Sequence, residues 1–316
     1  MQAREFQELR MSFDYSGGPG PFVTHRVHRL PNGRHLVATS RRHRKGLPPH
    51  EVATLPEATA LQPTRPSAFG TIWAPRRLGW WVAVFFAIGS TAFLTGALAA
   101  TWPATMPAAL RDSQVQSWIF FVGSTFFTSA AWFQWLEVIN RDVVTAFGES
   151  RRRWRWFGWC PRNLGYLASL VQLAGTILFN FSTADAILPG FSWRDQDLLI
   201  WLPNMLGSIC FLVASYLAYV EVAHGFLSFA PHSISWWVAA VNILGSVAFQ
   251  ISAFDSVVGP VPSTQGMLFW STFFTAAGSL CFLIGAFLLI PELFDTVRLG
   301  PEPTTATSSL RRFTDM

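Results

Sequence analysis

Lysine is almost missing from this chain. Lys45 is the one lysine among 316 residues, so arginine carries nearly all the positive charge. Charged residues make up only 13% of the sequence, about half the share usual in soluble domains. Cysteine is scarce too. Cys160, Cys210 and Cys281 are too few for a disulfide-built scaffold, and Cys210 and Cys281 lie at matching places in two apolar runs, where they read as small packing residues. The lone lysine is in no Gly-x-x-x-x-Gly-Lys context, which excludes a P-loop. Gly-x-Ser-x-Gly, His-Glu-x-x-His and paired Cys-x-x-Cys patterns are absent as well. His25, His28, His35 and His43 form a loose group without the fixed spacing or the cysteine and carboxylate partners of a metal site. Glu221-Val222-Ala223-His224 is a single Glu-x-x-His, where carboxylate di-metal bundles use two. No catalytic, cofactor or metal set is therefore expected, and the chain does not read as an enzyme. The first 70 residues are polar, so no cleavable signal peptide is expected and the first apolar run serves as its own insertion signal.

Apolar residues are abundant. They form 51% of the chain, with 29 Phe and 15 Trp, and mean hydropathy is +0.31. Six apolar runs are each long enough to cross a hydrocarbon core of about 30 Å. They predict helices over about 80–101, 117–139, 164–184, 199–223, 235–254 and 268–294. The expected fold class is an all-α membrane protein with six transmembrane helices. The tryptophans suit belts at the two interfaces.

Each run contains one copy of a pattern: Gly, then Ser or Thr, Phe four residues after the Gly, and two small residues at seven and eight. The glycines are Gly89, Gly123, Gly175, Gly207, Gly245 and Gly278. Positions 0, +4 and +7 share a helix face, and small residues let helix backbones approach closely in lipid, where no hydrophobic drive acts between helices. Gly89 and Gly123 are 34 residues apart, Gly175 and Gly207 32, and Gly245 and Gly278 33. The chain thus reads as three repeated hairpins, about 80–139, 164–223 and 235–294. Glu137, Glu221 and Glu292 each follow their glycine by 14 residues. An aromatic residue precedes the first glycine of each pair by nine: Trp80, Tyr166 and Trp236.

The segments Gly207-Ser208-Ile209-Cys210-Phe211 and Gly278-Ser279-Leu280-Cys281-Phe282, with their partner helices, resemble the YrhK-like family of small bacterial membrane proteins. That family's unit is one hairpin, where this chain has three. The resemblance implies a bacterial inner-membrane location and no activity.

Residues 1–46 are polar and basic. Phe22 to Leu30 and Arg34 to Thr39, joined through Pro31-Asn32-Gly33, predict a β-hairpin. Arg41, Arg42, Arg44 and Lys45 follow as a basic run, expected to be solvated or to touch anionic lipid. Residues 47–75 are rich in proline and predict an extended linker, and 295–316 a disordered tail. Net charge is +5, and arginine concentrates before the first span, between the second and third, and after the sixth. The positive-inside rule puts those segments and both termini in the cytoplasm, and makes a nucleic-acid partner the weaker reading of the charge.

Polar residues within the spans, among them Gln134, Gln172, Asn180, Asn204, Asn242 and Gln250, serve as interhelical glue or as a lining. Three acids near helix C-termini run against the helix dipole. Glu137, Glu221 and Glu292 are therefore the candidate functional carboxylates: a cation-binding ring at one mouth, a docking point for arginine, local partners of Arg141 and His224, or relics of duplication. Two functions are expected: an accessory membrane protein that binds partners or lipid through its front end, or a small-solute or cation transporter or channel built of parallel repeats.

Overall fold

The computed structural model describes residues 12–30, 33–47, 49–52, 72–140, 154–231, 233–260 and 264–294. A small front module precedes a helical bundle. The module is a four-stranded antiparallel sheet in the order β1 (Ser12–Gly17), β2 (His25–Arg29), β3 (His35–Thr39), β4 (His50–Val52), with a five-residue helix α1 (Ser40–Arg44) between β3 and β4. The expected hairpin is the β2–β3 pair, with Val27 opposite Val37. Gly33 takes the positive φ that its turn needs, at +81°. A lone hairpin is marginal in water. Here it gains a strand on each side, and Val27, Val37 and Leu47 form a buried core. The sheet takes in residues 50–52, which the proline content had given to a linker. The rest of that expected linker, 53–71, and the expected tail, 295–316, lie outside the described residues.

Among the described residues the bundle has six long helices: α2 (Leu78–Thr101), α3 (Ser113–Ile139), α4 (Leu164–Asp185), α5 (Trp193–Ala223), α6 (Ile234–Asp255) and α7 (Gln265–Glu292). Five are long and apolar enough to cross a membrane; α3 is 27 residues long but more polar, with Gln114, Gln116, Gln134 and several Ser and Thr. Asp112, Asn163 and Thr264 cap α3, α4 and α7 with their side chains. In α5, Pro203 has no N–H for the carbonyl four residues back, and the turn before it, Gln196–Trp201, is wound as a π-helix.

Each helix packs against its neighbour in the chain, and α7 closes against α2, so the six form a ring. The motif glycines sit where paired helices touch. A methyl built on Gly89 would lie 2.9 Å from the Gly123 carbonyl oxygen, on Gly175 3.1 Å from that of Gly207, and on Gly245 3.1 Å from that of Gly278. The motif phenylalanines meet on the ring axis. Phe179 stacks on Phe211 at 4.9 Å and Phe249 on Phe282 at 5.2 Å, and Phe93 packs on Phe127 at 5.1 Å. Phe93, Phe179 and Phe249 also touch one another, at 6.0–6.2 Å. The axis is thus filled by an aromatic layer. Trp80, Tyr166 and Trp236 each bond to a carbonyl eight residues earlier, those of Ile72, Gly158 and Ser228, and so tie each incoming loop to its helix.

Candidate functional site

The site lies at the mouth of the ring where α3, α5 and α7 end and α2, α4 and α6 begin. Glu137, Glu221 and Glu292 all reach it. Each carboxylate lies against the first turn of the helix it pairs with. A methyl built on Gly79 would stand 2.8 Å from Glu137 Oε1, and one on Gly165 2.8 Å from Glu221 Oε1. At the third place Ser235 donates its hydroxyl to Glu292 Oε1 at 2.5 Å. Gly79, Gly165 and Ser235 are each the second residue of their helix. Unsatisfied N–H groups at a helix N-terminus favour a negative charge by about 0.3–1 kcal/mol. The penalty each acid meets at its own helix C-terminus is thus offset by the N-terminus of its neighbour. The signal was in the sequence: these residues each stand ten positions before Gly89, Gly175 and Gly245.

The front module supplies the cations. Helix α1 is short, so its ends hold it. Thr39 accepts from the Arg42 N–H at the start. At the end Gly46 (φ +64°) donates to the His43 carbonyl and Leu47 to that of Arg42, a Schellman closure. Ser40 N–H donates to the Thr24 carbonyl at 2.8 Å, which ties α1 to the sheet. Residues 41, 44 and 45 then share one face, at i, i+3 and i+4. Arg41 donates to both oxygens of Glu292, at 2.5 and 2.9 Å, and Lys45 to Oε2 at 2.6 Å. Arg44 pairs with Glu221 at 3.0 Å, and Ser40 donates to its other oxygen at 2.9 Å. Glu137 lies in the field of Lys45 and Arg44. Glu221 is 0% and Glu292 2% exposed, so these charges are out of water. Burial opposes the charge of Arg41, but the charge of Glu292 and its hydrogen bonds outweigh that and raise the guanidinium's pKa. Burial holds the Lys45 amine below the usual lysine range, since it shares a carboxylate with Arg41 and stands near Arg44.

No known protein family, curated protein or solved structure matches this chain. The function has to be read from the site itself.

The basic run is neither a solvated flank nor a lipid contact at Arg41, Arg44 and Lys45, because these side chains turn into the bundle; Arg42 is buried as well. Glu221 pairs with α1, while His224 ends α5 at φ 53° and turns its Nδ1 to Thr24 Oγ1, 2.9 Å away. His25 packs edge-on against His224 at 4.9 Å. Burial, then the neighbouring His25, lower the His224 pKa to about 4, against a weaker pull from Glu221. Arg141, the expected partner of Glu137, lies outside the described residues. Among the described residues no three His, Cys, Asp or Glu side chains converge as a metal site.

Beneath α1 a pocket of about 60 Å³ is lined by Gln134, Gln172 and Asn242. Beyond the phenylalanines a pocket of about 220 Å³ is lined by Ser182, Ser252 and Thr275. Asn180 instead acts as glue, donating to Thr128 across α3 and α4.

Proposed function

We propose that this chain is a non-catalytic accessory membrane protein. It spans a bacterial inner membrane six times, as three hairpin units of the YrhK-like kind, and holds its front module at the cytoplasmic surface for partners or lipid. One observation carries the reading. Two buried carboxylates from two helix pairs are met by cations of the front module, Glu221 by Arg44 and Glu292 by Arg41 and Lys45, and Glu137 lies in the field of Lys45 and Arg44. A bundle that buries charge to seat a soluble module is built to hold that module in one place. The equal spacing of Gly79, Gly165 and Ser235 from their motif glycines supports the threefold repeat, and the arginine distribution supports the orientation.

The two polar pockets favour a second reading, in which the phenylalanine layer is a closed gate and α1 a plug over a cation path. A potassium-flux assay in reconstituted vesicles separates the two. The accessory reading expects no flux from the wild type or from an Arg41→Gln/Arg44→Gln/Lys45→Gln variant. Flux that appears in the variant would make the chain a plugged conduit.

A further inference from the structure

A groove of about 920 Å³ lies between the front module and the segment that leads into α4. Its two walls come from parts of the chain more than a hundred residues apart. Arg26 of β2 lines one wall, with His28 and His43; Arg162 and Trp159 line the other. Among the described residues no Asp or Glu lines it. Among the described residues neither Arg26 nor Arg162 is met by a carboxylate, and both are exposed. The contrast with α1 matters here. Arg41, Arg44 and Lys45 are engaged by the buried glutamates, and Arg26 and Arg162 are the arginines among the described residues that line this groove.

The second wall also says where the groove sits. Trp154, Trp156, Phe157 and Trp159 are 46, 61, 77 and 77% exposed, in the ten residues that lead into the first turn of α4. Exposed tryptophans at the end of an apolar helix are the mark of a membrane–water interface. Arg155 is exposed among them. Two guanidinium groups that line one cleft can each hold phosphate oxygens in a forked pair of bonds.

We propose that this groove binds the phosphate of an anionic lipid headgroup, with Arg26 and Arg162 as its two cations and the tryptophan-rich wall set in the interface. The inference rests on the reading that this end of the bundle lies at a membrane surface. It also needs the front module seated on the bundle, which has its own test in the exchange of residues 40–47.

Native mass spectrometry of the full chain in detergent, titrated with phosphatidylglycerol or phosphatidylcholine, tests it. The wild type should retain phosphatidylglycerol at least tenfold better. A juxtamembrane basic residue is worth roughly fivefold in affinity for an anionic surface, so Arg26→Gln/Arg162→Gln should lose roughly 20-fold and fall to the phosphatidylcholine level. Arg26→Lys/Arg162→Lys, which keeps the charge, should retain most of the preference and so controls for folding. Equal retention of the two lipids by the wild type, or an unchanged preference in the Gln variant, would overturn the proposal. Inorganic phosphate that binds in the same Arg26- and Arg162-dependent way and displaces the lipid would assign the groove to a soluble phosphate compound instead, and the lipid assignment would be lost.

Discussion

At the scale of single residues, the structure turns on what small side chains leave room for. Gly165 is in the site because nothing larger fits beside Glu221. Gly165→Ala puts a methyl 2.8 Å from Oε1, so the carboxylate must move off Arg44 and Ser40. The expected loss is about 1–3 kcal/mol, read as a lower unfolding temperature in detergent. Ser235→Ala acts at the third place in a different way. It removes a hydrogen bond to a buried charged group, worth about 1.5–3 kcal/mol. His224 gives the pH dependence. Its folded pKa is about 4 against 6.5 unfolded, so the fold favours the neutral ring. That contribution is fully present above pH 6.5 and is lost as pH falls towards 4, at up to about 1.4 kcal/mol per pH unit. His25, whose pKa burial also lowers, acts in the same direction. Melting temperature should therefore drop between pH 6.5 and 4, and His224→Gln should flatten that slope. A slope that His224→Gln leaves unchanged would remove His224 from the account.

At the scale of elements, the long helices and their contact faces were legible, and of the front module only the β2–β3 hairpin was. The helices follow from runs of apolar residues, and the contact points from glycines at a fixed place in each run, because close approach in lipid needs a missing side chain. A methyl on Gly207 would lie 2.5 Å from the Phe179 ring, so Gly207→Leu should cost about 1–3 kcal/mol in detergent. An unchanged melting temperature would mean that α4 and α5 do not cross there. Helix α1 escaped notice for a physical reason. Five residues hold too few turns for a periodic pattern, and its caps, Thr39 and Gly46, read as loop residues. Nor could local sequence pair Arg41 with Glu292, which lie 251 residues apart. What could be read was that 41, 44 and 45 would share a face if helical.

At the scale of the whole molecule, the front module and the bundle meet in one buried ionic joint, with Glu221 and Glu292 against Arg41, Arg44 and Lys45. The orientation is tested by cysteine labelling in intact cells. Ser113→Cys, in the first turn of α3 at the far end, should react with an impermeant reagent, and native Cys160 should not; reaction at Cys160 would invert the topology. The joint itself is tested most directly by hydrogen–deuterium exchange over residues 40–47, in the wild type and in Glu221→Gln/Glu292→Gln. Removing one partner of a buried ion pair costs about 3–5 kcal/mol, or roughly a hundredfold to several thousandfold in the docking equilibrium. We expect exchange across α1 to rise by that factor in the variant while α4 stays protected. Equal protection of residues 40–47 in the two proteins would contradict the claim that Glu221 and Glu292 hold the front module in place.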